Sequence, residues 1–112
     1  MKPESGLEIL EQVIHNFSVI RQLLLKVGYD ETITFDDDKI FMEAKGTIAR
    51  KLPSLRQKSG NPNDIYNFIL RYLRKIPSLI QLRQMNKEDL KFLEKECHKL
   101  YIDLNRWYGE EQ

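Results

Sequence analysis

At 112 residues, with 41% hydrophobic and 31% charged residues, the chain has the composition of a globular protein and not of a disordered tail. The single cysteine, Cys97, excludes an intramolecular disulfide, and the longest aliphatic run, Leu23-Leu24-Leu25, falls far short of the roughly 20 apolar residues of a membrane span. Net charge is only +1, yet the charges are segregated: residues 1–43 are net −5, residues 44–85 are net +8 with Asp64 as their only acid, and residues 86–112 are net −2.

The first helix is expected over about residues 5–27. Leu10, Val13, Phe17, Ile20, Leu24 and Val27 fall in unbroken 3-4 spacing, which draws one stripe down a helix. Leu7 and Ile14 widen it. Ser5, with Glu8 three residues on, has the capping-box pattern, and Gly28 is placed to close the helix in the left-handed conformation. Residues 29–38, YDETITFDDD, read as a loop pinned by Ile33 and Phe35.

A second helix is expected over about 36–51, with Ile40, Phe41, Ala44, Ile48 and Leu52 inward. Asp36, Asp37 and Asp38 suit its N-terminus, where unpaired backbone amides favour negative charge. Gly46 costs the helix roughly 1 kcal/mol relative to Ala and permits close contact with another helix.

The octets RKLPSLRQ (50–57) and RKIPSLIQ (74–81) then differ at only two positions. In each, the residue before proline is pushed out of the helical region, and the serine after it offers a cap for a new turn. The expectation is therefore a short helical turn after Pro53 and another after Pro77. The loop KSGNPND is dense in turn formers and leads into a third helix over about 64–75. That helix has a mostly apolar circumference, in which Phe68 and Tyr72 are expected to belong to the core, and one polar strip of Asn67, Arg71, Arg74 and Lys75. Leu79–Met85 is expected to form a short helix or the end of a kinked one. Asn86 caps the last helix, over about 87–108, along which Leu90, Leu93, Cys97, Leu100, Leu104 and Trp107 repeat the 3-4 spacing. The fold class expected is all-α: one domain built as a bundle of four main helices with short turns at the proline joints.

Catalytic and metal chemistry find little support. His15 and His98 stand on different helices without a ligand at metal spacing, and the consecutive acids at 36–38 lack the alternation of a calcium loop. No nucleophile elbow, phosphate loop or dinucleotide fingerprint occurs. No catalytic, cofactor or metal residue is assigned, no small-molecule substrate is evident, and no enzyme is expected. With a polar opening, Met1 to Gly6, no signal peptide is expected, and the lone thiol suits a cytoplasmic setting.

Two functions remain. The first is a non-catalytic protein-protein interaction module, an adaptor or small assembly subunit, with a protein partner or a homodimer. It is motivated by apolar residues off the main stripes: Ile9, Val19, Leu23, Leu25, Phe92, Ile102 and Tyr108. The second is binding of RNA or DNA, without sequence readout, through the basic middle 44–85. There Arg50, Lys51, Arg71, Arg74 and Lys75 are the candidate phosphate contacts.

Overall fold

The computed structural model describes residues 6–58 and 63–111, with no side-chain detail for residues 56–58, 63–64 and 111. Ser5 and the stretch 59–62 lie outside these, as do the side chains of Arg56 and Lys58. Among the described residues the chain forms helices alone: α1 (Gly6–Gly28), α2 (Phe35–Lys58), α3 (Asn63–Lys75), α4 (Leu79–Gln84) and α5 (Lys87–Glu111). The molecule measures 41 × 29 × 21 Å, its long axis close to the length of α5 at about 1.5 Å per residue.

α1 is the centre of the bundle, packing against both α2 and α5. The six stripe residues of α1 are at most 4% exposed. Ile9 and Leu23, which the 3-4 stripe leaves outside, are buried as well, because two neighbours demand a wider face than one. Val19, Leu25 and Tyr108 are half-buried. The α5 stripe is likewise buried, and α1 and α5 pair within one chain. α5 continues through Gly109 to Glu111.

The end of α1 differs from expectation. Gly28 does not take positive φ; Asp30 does, at φ 56°. Asp30 N–H donates to the Val27 carbonyl (3.0 Å), and Glu31 N–H to the Lys26 carbonyl (3.0 Å). This is the paired closure of a Schellman motif, set two residues later than the glycine. A side chain at position 28 would meet the Glu94 carboxylate, so the glycine serves α5 contact instead of chain reversal.

α2 begins at Phe35 and not Asp36, because Thr34 is its cap. Asp37 N–H donates to Thr34 Oγ1 (3.1 Å), and Thr34 N–H donates to Asp37 Oδ2 (3.0 Å). Asp37 also pairs with Lys26 at 2.8 Å, tying the end of α1 to the start of α2. Ile33 anchors the connection, half-buried against the core, whereas Phe35 is 86% exposed. Ile40 is a second correction: it stands at 45% exposure on the helix flank, and the inner line is Phe41, Ala44, Ile48, Leu52 and Leu55.

The two octets do not behave alike. Pro53 lies inside α2, so the helical turn after it is a continuation of that helix and not a separate element. Pro53 lacks the N–H that would bond the Ala49 carbonyl, and its ring crowds that oxygen, a cost of about 3 kcal/mol. Leu52 and Leu55 are 1% and 0% exposed, and keeping both on the inner line is worth about 1.5–3 kcal/mol each. The burial outweighs the break. At Pro77 the balance reverses. Continued straight, α3 would carry Leu82 about 130° away from its buried line of Ile69, Tyr72, Leu73 and Ile76, at 100° per residue. The chain stops instead, and Ser78 caps α4 in a full capping box with Gln81. Leu79 and Leu82 both return to the core at 0% exposure. Asn86 caps α5 as expected, accepting from Asp89 N–H at 2.8 Å.

Candidate functional site

α3 has a buried line and, on its other side, an edge that meets solvent. Phe68, Arg71 and Lys75 lie at i, i+3 and i+7, one line along that edge. Phe68 is 49% exposed, against the expectation that it belongs to the core. At 100° per residue it falls within about 20° of Lys75 and about 100° from Ile69, so its register puts it with the cations.

The Arg71 guanidinium lies over the Phe68 ring, 5.9 Å from its centroid. One turn on, Lys75 Nζ stands 4.8 Å from the centroid of Phe92 on α5 and 2.7 Å from Glu96 Oε1. Phe92 is 57% exposed. Each ring thus carries a cation near its face, an attraction of about 0.5–1 kcal/mol at exposed sites. A cleft of about 240 Å³ opens beside this strip, lined by Lys75, Met85, Asp89, Phe92 and Leu93.

What holds the strip in place is buried directly beneath it. Tyr72, one residue past Arg71, is 2% exposed and donates its hydroxyl to the Leu93 carbonyl at 2.7 Å. Phe17 of α1 stacks on its ring, centroids 6.0 Å apart. Burial drives the Tyr72 hydroxyl far above the ordinary tyrosine value, so it remains a donor at any physiological pH. Phe92 and Leu93 are adjacent on α5; the bond that locks Leu93 therefore fixes where Phe92 presents its ring.

The other candidate cations are distributed differently. Arg74 is exposed beside Lys75 at the end of α3. Arg50 is exposed on α2 and donates to Thr47 Oγ1 at 3.2 Å; Lys51 is half-buried on the same helix. The link from α2 to the second octet is made by Lys45, whose Nζ donates to the Ile76 carbonyl at 2.7 Å. Part-buried there, Lys45 has its pKa pushed down by desolvation, and it serves the end of α3 as a positive charge serves any helix C-terminus.

Two larger clefts lie elsewhere. A groove of about 630 Å³ runs between α1 and α5, with Leu24, Leu25, Cys97 and Ile102 along it and Arg21, His98 and Arg106 at its margins. Burial pushes the Cys97 thiol up to about 12, so near neutral pH it is a protonated, apolar floor and not a thiolate. A second cleft of about 470 Å³ lies between exposed Phe35 and Ile80, with Asp38 and Arg83 at its rim. Among the described residues no group of three or more His, Cys, Asp or Glu is placed to hold a metal ion, and no helix is long and apolar enough to cross a membrane.

No family model, curated protein or solved structure matches this chain, so the site is read from its chemistry alone.

Phe92 was legible as an apolar residue off the α5 stripe. Phe68 was not, because α3 is apolar around most of its circumference; the signal that finds it is its i, i+3, i+7 alignment with Arg71 and Lys75.

Proposed function

We propose that this chain is a non-catalytic interaction module that docks a protein partner through the strip formed by Phe68, Arg71, Lys75 and Phe92. The observation that carries the reading is the pair of large aromatic rings, each about half exposed and each beside a cation. Aromatic residues and Arg dominate the energetic centres of protein interfaces, and an exposed phenylalanine gains most from being covered. The two cations of the strip, Arg71 and Lys75, favour a partner whose contact segment mixes apolar and acidic residues. The buried neutral thiol of Cys97 fits a reducing, cytoplasmic setting.

The test is photo-crosslinking from positions 68 and 92 in cells, followed by a binding titration with the protein so identified. Phe68→Ala with Phe92→Ala should weaken that binding at least ~10-fold, about 1.4 kcal/mol, with the helical spectrum unchanged. Unchanged affinity in the double variant removes the reading.

A second reading keeps the same strip and changes the partner: RNA or DNA, bound without sequence readout through the basic segment 44–85. Exposed rings interleaved with cations are the arrangement that stacks bases and neutralises phosphates, although Glu96 offsets part of the charge at Lys75. Oligonucleotide titrations across salt separate the two. About three phosphate contacts give a log-log slope near −3 on duplex DNA, lost when Arg71, Arg74 and Lys75 become Ala. No binding at low salt ends this alternative.

A further inference from the structure

α2 carries two lines of residues, not one. The inner line packs into the core. On the opposite side Phe35, Lys39, Met42, Gly46, Ala49 and Pro53 fall in the same unbroken 3-4 spacing, and Lys39 alone among them is charged. Phe35 is 86% exposed and Met42 50%, and Ala49 and Pro53 are exposed as well. A helix in a small bundle needs one such line; a second marks a second neighbour.

The charges of α2 say what that neighbour is. Its first half, residues 35–46, holds Asp36, Asp37, Asp38 and Glu43 against two lysines; its second half, 47–58, holds Arg50, Lys51, Arg56 and Lys58 and no acid. A parallel copy of such a helix would set like charges level with one another. An antiparallel copy sets the acidic half of one helix against the basic half of the other; Asp37 is engaged by Lys26 of its own chain, and the exposed Glu43 and Arg50 are left to meet across the pair. The helix is therefore complementary to itself in one orientation, which is the requirement of a twofold, isologous contact.

Gly46 stands at the midpoint. A Cβ built there would meet Arg50 Nη1 at 3.7 Å, ordinary contact, so nothing within the chain requires glycine at this position. A glycine here leaves room for another backbone to approach closely.

We propose that the outer face of α2 is a homodimer interface, in which two copies cross antiparallel at Gly46 and Glu43 faces the partner's Arg50. The proposal deepens the interaction-module reading by naming a second copy of this chain as a partner, and it uses a face other than the α3–α5 strip. One helix pair of this length lies at the small end of specific interfaces, below about 1,200 Å² in total, so the association is weak and reversible.

Sedimentation velocity on the full chain, from about 1 to about 200 μM, tests it, that being the range in which weak interfaces dissociate. A concentration-dependent monomer–dimer equilibrium is expected. Glu43→Arg and Arg50→Glu should each raise the dimer Kd at least ~10-fold, and the two together should restore it. Gly46→Leu should abolish the dimer while leaving the monomer folded. A chain that is monomeric throughout overturns the proposal, as does a dimer indifferent to Glu43→Arg and Gly46→Leu. Either result leaves the reading of the α3–α5 strip intact, because that reading is decided by the Phe68 and Phe92 variants.

Discussion

Tyr72 donates its hydroxyl to the Leu93 carbonyl at 2.7 Å, a side chain of α3 bonded to the backbone of α5 inside the core. A buried bond of this kind is worth about 1 kcal/mol net, and leaving the carbonyl without it costs about 1–3 kcal/mol. Tyr72→Phe keeps the ring and its stacking on Phe17 and should lower unfolding free energy by about 1–2 kcal/mol in a urea titration. Tyr72→Ala also removes the ring and should cost about 3–5 kcal/mol.

The two prolines offer a paired test. Pro53→Ala restores the N–H that α2 lacks and should stabilise the protein by about 1–2 kcal/mol after the unfolded chain's gain in freedom is deducted. Pro77→Ala, at a true helix stop, should give no such gain. Thermal unfolding of the two variants side by side distinguishes them; equal stabilisation would mean that the joints are equivalent after all.

Asp30 holds φ 56° at the end of α1, a conformation that glycine adopts without strain. Its carboxylate also lies at a helix C-terminus, where negative charge is disfavoured. Asp30→Gly should therefore raise the melting temperature, by an amount corresponding to about 0.5–1 kcal/mol, whereas Asp30→Ala should not.

How much of this was legible beforehand depends on the residue. The stripes of α1 and α5 and the caps at Ser78 and Asn86 could be read directly, because periodicity and cap chemistry are properties of neighbouring residues. The continuation of α2 through Pro53 could not, because it is decided by which wall of the core Leu55 reaches. The Lys45–Ile76 bond spans 31 residues and leaves no local trace. Of the five candidate cations, Arg71 and Lys75 gain their meaning from Phe68 and Phe92, and that depends on exposure, which periodicity in an almost wholly apolar helix does not resolve.

Asp37 gives the chain a pH dependence. The Lys26 ammonium, then the Thr34 N–H, hold its carboxyl below the ordinary aspartate value. With the folded value depressed, the unfolded state binds more protons as pH falls, so this contribution is complete above about pH 4 and fades as pH drops through the folded value. Asp37→Asn should flatten the acid limb of a stability-versus-pH curve below about pH 4, and carbon-detected NMR titration of the Asp37 carboxyl should place its midpoint below the ordinary aspartate value.

The nearly repeated octet is a built-in control on what eight residues can encode. Six identical letters run on as rod in one place and become an elbow in the other, so the bend is a property of the address and not of the word. Exchanging the two octets would swap only Leu with Ile and Arg with Ile, and each copy would be expected to take the shape of its new location. Evolution can reuse such a segment without inheriting its geometry.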